Sequence, residues 1–167
     1  MSRLTEFYRG SAADAEGRTL ADLQALDDRA MESVHDFIQW MFPLREPSRY
    51  NPDAPLVTDA DVDEFRADPA LREALARSLR RFLAFLGLGF EGDVVVEAAD
   101  FDRRRGVFLR PNHNWLRITR VLASTRMLGL ARESEAFFAF LRDRRDSGAI
   151  QVAPDTFGYW REAAGGG

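Results

Sequence analysis

Apolar residues recur at helical spacing along most of this 167-residue chain. The clearest case is the segment 69–86, where leucine or phenylalanine returns every three or four positions and arginine fills many positions between them. Asp68 and Pro69 form a typical helix start, and Gly87 is a typical stop. Similar spacing predicts further helices over 112–129, 131–147 and 155–163. We therefore predict an all-α fold with about seven helices.

The N-terminal part of the chain has a less regular pattern. Residues 1–18 are mostly small and polar, and they predict a short helix or a loose arm. Thr19 is a typical N-cap for the leucine-rich segment that follows it. The segment 27–42 predicts a second helix that ends before Pro43. Because this helix has large apolar residues on both sides, we expect it to be buried in the middle of the fold.

Two segments lack a helical pattern. Residues 43–57 contain four of the seven prolines, and because proline restricts the backbone, they predict an ordered irregular loop. Residues 90–111 contain the short apolar runs 94–96 and 107–109, which predict a minor β-hairpin near 93–109. We see no linker, so we predict a single domain over 1–164 and a disordered glycine tail at 165–167.

The composition excludes several classes of function. The chain has no cysteine, so disulfides, thiolate zinc sites and thiol nucleophiles are excluded. All 23 basic residues are arginine, but the net charge is −4, so we expect no nucleic-acid partner. The N-terminus lacks the apolar run of a signal peptide, and no segment has the length and hydrophobicity of a membrane span. We expect a soluble, cytoplasmic protein.

Two stretches are unusually rich in histidine, arginine and tryptophan. Residues 35–58 read HDFIQWMFPLREPSRYNPDAPLVT, and residues 112–130 read NHNWLRITRVLASTRMLGL. Together with Phe157, Tyr159 and Trp160, they resemble the conserved region of the opioid growth factor receptor family. Vertebrate members are associated with binding the enkephalin peptide that acts as an opioid growth factor, and with membrane or nuclear-envelope signalling. The resemblance implies a stand-alone binding or signalling domain with no catalytic residues to transfer, and the arginine-only composition indicates a microbial relative.

Polar side chains in the two stretches are the candidates for a binding site. On a helix beginning at Asn112, the side chains of His113, Arg117 and Arg120 share one face, and apolar residues flank them. Arginine can hold a carboxylate or phosphate through two hydrogen bonds, and tryptophan can supply an apolar wall. We therefore predict an anion or peptide pocket between the two stretches, with a small anion, a peptide or a protein as the partner. Its candidate residues are His35, Gln39, Trp40, Arg45, Glu46, Asn112, His113, Trp115, Arg117 and Arg120.

Two alternatives remain open. In the first, the same polar residues form a structural network, in which Arg117 or Arg120 pairs with Glu46 or a loop carbonyl. In the second, the chain is an enzyme or holds a metal ion through His35, His113 and Glu46. Two histidines are a weak signal for catalysis, so we favour a binding module over an enzyme. The residues do not identify a cofactor, and they do not determine the oligomeric state.

Overall fold

A computed structural model describes residues 1–166. The chain divides into two compact units, Met1–Leu79 and Arg80–Gly167. Within the described residues there are ten α-helices, one 3₁₀ turn and one antiparallel β-hairpin. The prediction of a mostly helical fold is confirmed, but the predicted number of about seven helices is too low. The prediction of one domain over 1–164 stays a prediction.

The first unit is built from short, strongly capped helices. In chain order they are α1 (Arg3–Tyr8), α2 (Leu20–Gln24), α3 (Asp28–Ser33), α4 (Ile38–Met41), α5 (Asp59–Ala67) and the first part of α6 (Pro69–Phe85). Ser2, Thr19 and Thr58 each form a capping box, in which side chain and backbone exchange two hydrogen bonds. These caps satisfy backbone N–H groups at helix starts, which explains how such short polar segments stay helical.

Helix α1 belongs to the core of the first unit. Phe7 packs on Trp40 with ring centroids 4.9 Å apart, and Tyr8 packs edge-on against Phe65 at 5.0 Å. The buried Tyr8 hydroxyl donates a hydrogen bond to the Met41 carbonyl. Burial raises the pKa of this phenol far above its usual value, so it stays neutral. Of the two predictions for residues 1–18, the short helix is therefore correct for residues 3–8.

The helix predicted over 27–42 is interrupted. Helix α3 ends at Ser33, Val34 is extended with φ −89° and ψ 130°, and α4 begins only at Ile38. The break is stabilised from outside the segment, because Asn51 donates a hydrogen bond to the Asp36 carbonyl and Arg18 pairs with the Asp36 carboxylate. Local spacing cannot reveal such distant partners. This interruption is one reason why the structure has more helices than predicted.

The second unit combines three longer helices with a small hairpin. Its elements are the rest of α6, β1 (Leu88–Glu91), β2 (Val94–Glu97), α7 (Phe101–Arg104), a 3₁₀ turn (Arg105–Phe108), α8 (His113–Met127), α9 (Ala131–Asp146) and α10 (Pro154–Ala163). Helix α8 packs against α9 and α10, and β2 packs against α9. The buried residues of α8 include Trp115, Ile118 and Leu122, so this helix contributes one side of the core.

The hairpin exists, but the predicted pairing is wrong. Strand 94–97 pairs with 88–91, not with 107–109, and Glu91 lies opposite Val94. Gly92 begins the two-residue loop with φ +60°, which a type II′ turn requires at that position. A two-residue loop costs less closure entropy than the longer loop that we predicted. Residues 101–108 are instead helical, and the rings of Phe101 and Phe108 stack 6.0 Å apart.

Two tryptophans fix α10 against α8. The Trp160 indole N–H donates to the Trp115 carbonyl at 3.0 Å, and the two rings are nearly perpendicular. Beyond α10, the Gly165 and Gly166 N–H groups bond to carbonyls in the last turn of the helix. The predicted disordered tail also includes Gly167, which lies outside the described residues. Among the described helices, none combines the length and apolar character needed to cross a membrane.

Candidate functional site

Helix α4 lies in the first of the two stretches, residues 35–58, which we call the first block. It is buried on all sides. Ile38, Gln39, Trp40 and Met41 are all shielded from solvent. Trp40 is 1% exposed, and the Arg3 guanidinium lies over its ring at 4.8 Å. The structure thus places Trp40 in the core of the first unit, where its contacts are packing contacts.

The side-chain amide of Gln39 is the least satisfied polar group of this block. Its Nε2 donates two long hydrogen bonds, to the His35 carbonyl at 3.3 Å and to Ser48 Oγ at 3.4 Å. Its Oε1 is buried and has no hydrogen-bond partner among the described residues. Leaving a buried acceptor unpaired costs about 1–3 kcal/mol. Gln39 is only 4% exposed, so water at the molecular surface does not offset this cost.

The 43–57 loop, which follows α4, is ordered by its own hydrogen bonds. Ser48 and Asn51 form an isolated antiparallel bridge, and the Asn51 amide donates to the Asp36 carbonyl at 2.6 Å. The Val57 N–H closes the loop by bonding to the Leu44 carbonyl at 3.0 Å. The prediction of an ordered irregular loop over 43–57 is therefore confirmed.

Several side chains of the 43–57 loop project into solvent. Tyr50 is 65% exposed and Leu56 is 44% exposed, although both are large and apolar. Arg45, Glu46 and Arg49 are exposed as well. Arg45 pairs with Asp59 at 2.7 Å, and a pair this exposed contributes little to stability. The loop thus presents aromatic, aliphatic and charged groups on a fixed backbone.

Arg18 and Asp14 are two residues near this block that the sequence analysis did not single out. Arg18 bonds the buried Asp14 carboxylate at 2.7 Å and Asp36 at 3.0 Å. Burial acts to lower the pKa of Arg18, but the hydrogen bonds to Asp14 and Asp36 outweigh it, so the pKa is raised and the charge is retained. The Asp14-to-Arg18 spacing is a local signal for this pair, because Asp14 also accepts the Arg18 backbone N–H.

In the second stretch, residues 112–130, which we call the second block, Asn112 and Trp115 have hydrogen-bond partners within the fold. The Asn112 side chain accepts the N–H of Asn114, and its amide donates to the Val107 and Arg110 carbonyls. Asn112 is therefore the N-cap of α8, as its sequence position predicted. The Trp115 indole donates to the same Val107 carbonyl at 2.7 Å and is 6% exposed. Both residues tie the start of α8 to the segment before it.

The charged residues of α8 differ widely in exposure. His113 is exposed, Arg120 is half-buried, and Arg117 is 5% exposed with Asn114 Oδ1 3.3 Å from its Nη1. His113, Arg117 and Arg120 each take part in a hydrogen bond, ion pair, ring contact or electrostatic interaction, and so does His35 in the first block. Arg117 and Arg120 are therefore not isolated charges. That these residues form a ligand site stays a prediction.

The described residues offer no ready site for a metal ion. No group of three or more histidine, aspartate or glutamate side chains among residues 1–166 is arranged to hold one. The alternative that uses His35, His113 and Glu46 therefore gains no support and stays a prediction.

Comparison with known proteins identifies close relatives of the matched region. The family model of the opioid growth factor receptor (OGFr) conserved region matches residues 15–145. The opioid growth factor receptors of Mus musculus and Homo sapiens are 39% and 37% identical over 103 residues, which is 60% of this chain. Opioid growth factor receptor-like protein 1 of Mus musculus is 34% identical over 108 residues, or 62% of this chain. These matches cover only 16%, 15% and 22% of the three relatives. No solved structure matches the chain significantly.

Proposed function

Because this chain belongs to the opioid growth factor receptor conserved-region family, we propose that it is a binding module for a peptide or protein partner. The names of the relatives describe receptors for a growth factor, and a receptor function requires a recognition surface. The proposed surface is the 43–57 loop, which includes Arg45 and Glu46, with the adjoining residues His35 and Gln39. A contribution from His113, Arg117 and Arg120 stays a prediction.

The main observation that supports this proposal is that an ordered loop exposes Tyr50 and Leu56. Large apolar side chains exposed on a rigid backbone are typical of interfaces, because their burial is favourable and little conformational entropy is lost on binding. Tyrosine and arginine are also the residue types that most often dominate binding energy. Arg49, which precedes Tyr50 in the chain and is also exposed, adds a positive charge to the same loop.

The chemistry of the loop suits a peptide that carries an apolar side chain and a carboxylate. The apolar group would cover Tyr50 and Leu56, and the carboxylate would lie against the guanidinium of Arg49. Glu46 is negatively charged and exposed on the same loop, so it would disfavour a partner with several acidic groups. An uncharged or singly acidic peptide is therefore the expected ligand class.

The proposal is tested by selecting peptides from a random displayed library on the immobilised 167-residue chain. The enkephalin peptide is measured separately, because the relatives are described as opioid growth factor receptors. We expect the double substitution Tyr50→Ala and Leu56→Ala to weaken binding of the selected peptides at least tenfold, since each removes an exposed apolar contact.

The matched control is the double substitution Leu116→Ala and Tyr159→Ala. These residues are of the same types and are 64% and 58% exposed, but they lie on α8 and α10. Both double variants should keep the melting temperature of the wild-type chain, because all four side chains are exposed. If the two variants bind the peptides equally well, or if no peptide is selected, the proposal is wrong.

A further inference from the structure

We propose that the segment 101–111 of the second unit is a docking surface for an acidic peptide segment of a partner protein. It is separate from the 43–57 loop, which lies in the first unit. The segment exposes Arg103, Arg105 and Arg110, which we call the arginine cluster. Because the whole chain has a net charge of −4, such a local concentration of positive charge is not a general property of its surface.

The charges of the arginine cluster are not neutralised within the fold. Among the described residues, none of the three guanidinium groups makes an ion pair, a side-chain hydrogen bond or a ring contact. Other arginines on the surface do pair, as Arg9 does with Glu64 at 2.9 Å and with Asp68 at 2.7 Å. Like charges close together repel each other, and water and salt screen this repulsion only in part. Carboxylates that arrive with a partner would relieve it.

The backbone that carries the arginine cluster is held in place by the core of the second unit. The rings of Phe101 and Phe108 are buried, and the Phe108 carbonyl accepts the Gln151 N–H at 2.8 Å. Arg104 lies between the cluster residues in sequence, but its guanidinium lies over the Phe85 ring at 5.0 Å. A partner therefore meets the three exposed arginines without first having to order the main chain, which lowers the entropy lost on binding.

The spacing of the arginine cluster fits a short acidic segment. Helical backbone rises by about 1.5–2 Å per residue, so the three side chains leave the main chain within roughly 15 Å of one another. An extended peptide rises by about 3.3 Å per residue, so about five residues span that distance. Each guanidinium can hold one carboxylate through two parallel hydrogen bonds. The expected ligand is therefore a short peptide segment that carries two or three carboxylates.

The surroundings of the arginine cluster favour a protein segment over other anions. Leu109, which precedes Arg110 in the chain, is 38% exposed, so the surface offers an apolar contact as well as charge. A peptide with leucine among its acidic residues can use both kinds of contact. Nucleic acids and anionic membranes carry charge over large areas, and they would also meet the remainder of this chain, which is acidic.

The test measures binding of the synthetic peptide Glu-Leu-Glu-Glu-Leu-Glu to the 167-residue chain by isothermal titration calorimetry at low and at physiological salt. The affinity should be higher at low salt, because the contacts are between exposed charges. We expect the triple substitution Arg103→Gln, Arg105→Gln and Arg110→Gln to weaken binding at least about tenfold, since it removes the charge-assisted hydrogen bonds.

The matched control is the triple substitution Arg29→Gln, Arg77→Gln and Arg132→Gln. These arginines are also exposed, and the net charge changes by the same amount, but they lie outside the segment 101–111. The control should change the affinity by less than about twofold, and both triple variants should keep the wild-type melting temperature.

Three results would contradict the inference. The wild-type chain fails to bind the peptide, the two triple variants weaken binding equally, or the arginine cluster binds single-stranded RNA or phosphatidylserine vesicles more tightly than the peptide. Each of these results leaves the proposed function intact, because the surface around Tyr50 and Leu56 belongs to the first unit.

Discussion

At the scale of single residues, similar polar side chains have different roles because their surroundings differ. Asn112 caps a helix, whereas the buried Gln39 oxygen has no partner among the described residues. Arg45 pairs on the surface with Asp59, whereas Arg18 pairs with an almost fully buried Asp14. Residue type and spacing do not separate these cases, because burial decides how much each interaction contributes.

The Asp14–Arg18 pair gives a prediction at this scale. Asp14→Ala should reduce the free energy of unfolding by about 2 kcal/mol, because it removes a buried carboxylate that accepts bonds from Arg18 and from two backbone N–H groups. Chemical denaturation followed by circular dichroism measures the change.

The control for Asp14→Ala is Asp59→Ala, which also removes a carboxylate paired with arginine. The Asp59 side chain is 92% exposed, so its loss should change the free energy of unfolding by less than about 0.5 kcal/mol. If the two substitutions lowered the free energy of unfolding equally, the Asp14 network would not stabilise the fold as its burial implies.

At the scale of elements, the chain follows local signals wherever a cap or turn residue is present. Asn112 starts α8 as predicted, Thr58 caps α5, and Gly87 follows the end of α6. Two predictions from the sequence were wrong, namely a continuous helix over 27–42 and the pairing of the hairpin. Both outcomes depend on partners distant in sequence or on competition between strands. Helical spacing in 27–42 is real, but hydrogen bonds from Asn51 and Arg18 stabilise a non-helical backbone at Asp36.

Gly87 gives a prediction at the scale of elements. Its φ is +75°, and a Cβ there would lie 2.8 Å from the Cα of Phe101, so the backbone of α7 would have to move. Gly87→Ala should therefore cost about 3 kcal/mol of unfolding free energy, of which about 1 kcal/mol comes from the left-handed backbone. Thermal and chemical unfolding of the 167-residue chain measure this loss.

Gly148 is a close control, because it follows α9 with φ +77° and has open space where a Cβ would be. Gly148→Ala should lower the free energy of unfolding by about 1 kcal/mol, because only the left-handed backbone is strained there. If Gly87→Ala were no more destabilising than Gly148→Ala, the close approach of α7 to Gly87 would not matter for stability.

At the scale of the whole molecule, helices outside the family match complete the core of each unit. The match begins at residue 15 and ends at residue 145, so it excludes α1 and α10. Phe7 and Tyr8 of α1 are buried in the first unit, and Trp160 of α10 is buried in the second. The region shared with the relatives therefore depends on flanking segments of this chain for its packing.

A fragment that starts at residue 15 tests this dependence. It lacks the buried side chains of Leu4, Phe7 and Tyr8, so its free energy of unfolding should be lower by on the order of 5 kcal/mol. Because small proteins are stable by only about 5–15 kcal/mol, we expect a marked fall in melting temperature or loss of cooperative unfolding.

The matched control for this truncation is Glu6→Ala in the 167-residue chain, since Glu6 lies on α1 but is exposed. It should leave the melting temperature nearly unchanged. A fragment from residue 15 that melts like the 167-residue chain would show that α1 is not needed for the core of the first unit.

The sequence by itself determined the helical class, most helix starts, the ordered proline-rich loop and the family, because these depend on spacing, caps and residue types within short segments. Only the tertiary structure decided that Arg18 holds Asp36 and that the Gln39 oxygen is buried without a partner among the described residues. The physical reason is that burial and hydrogen-bond pairing depend on residues far apart in the chain, and no local pattern records them.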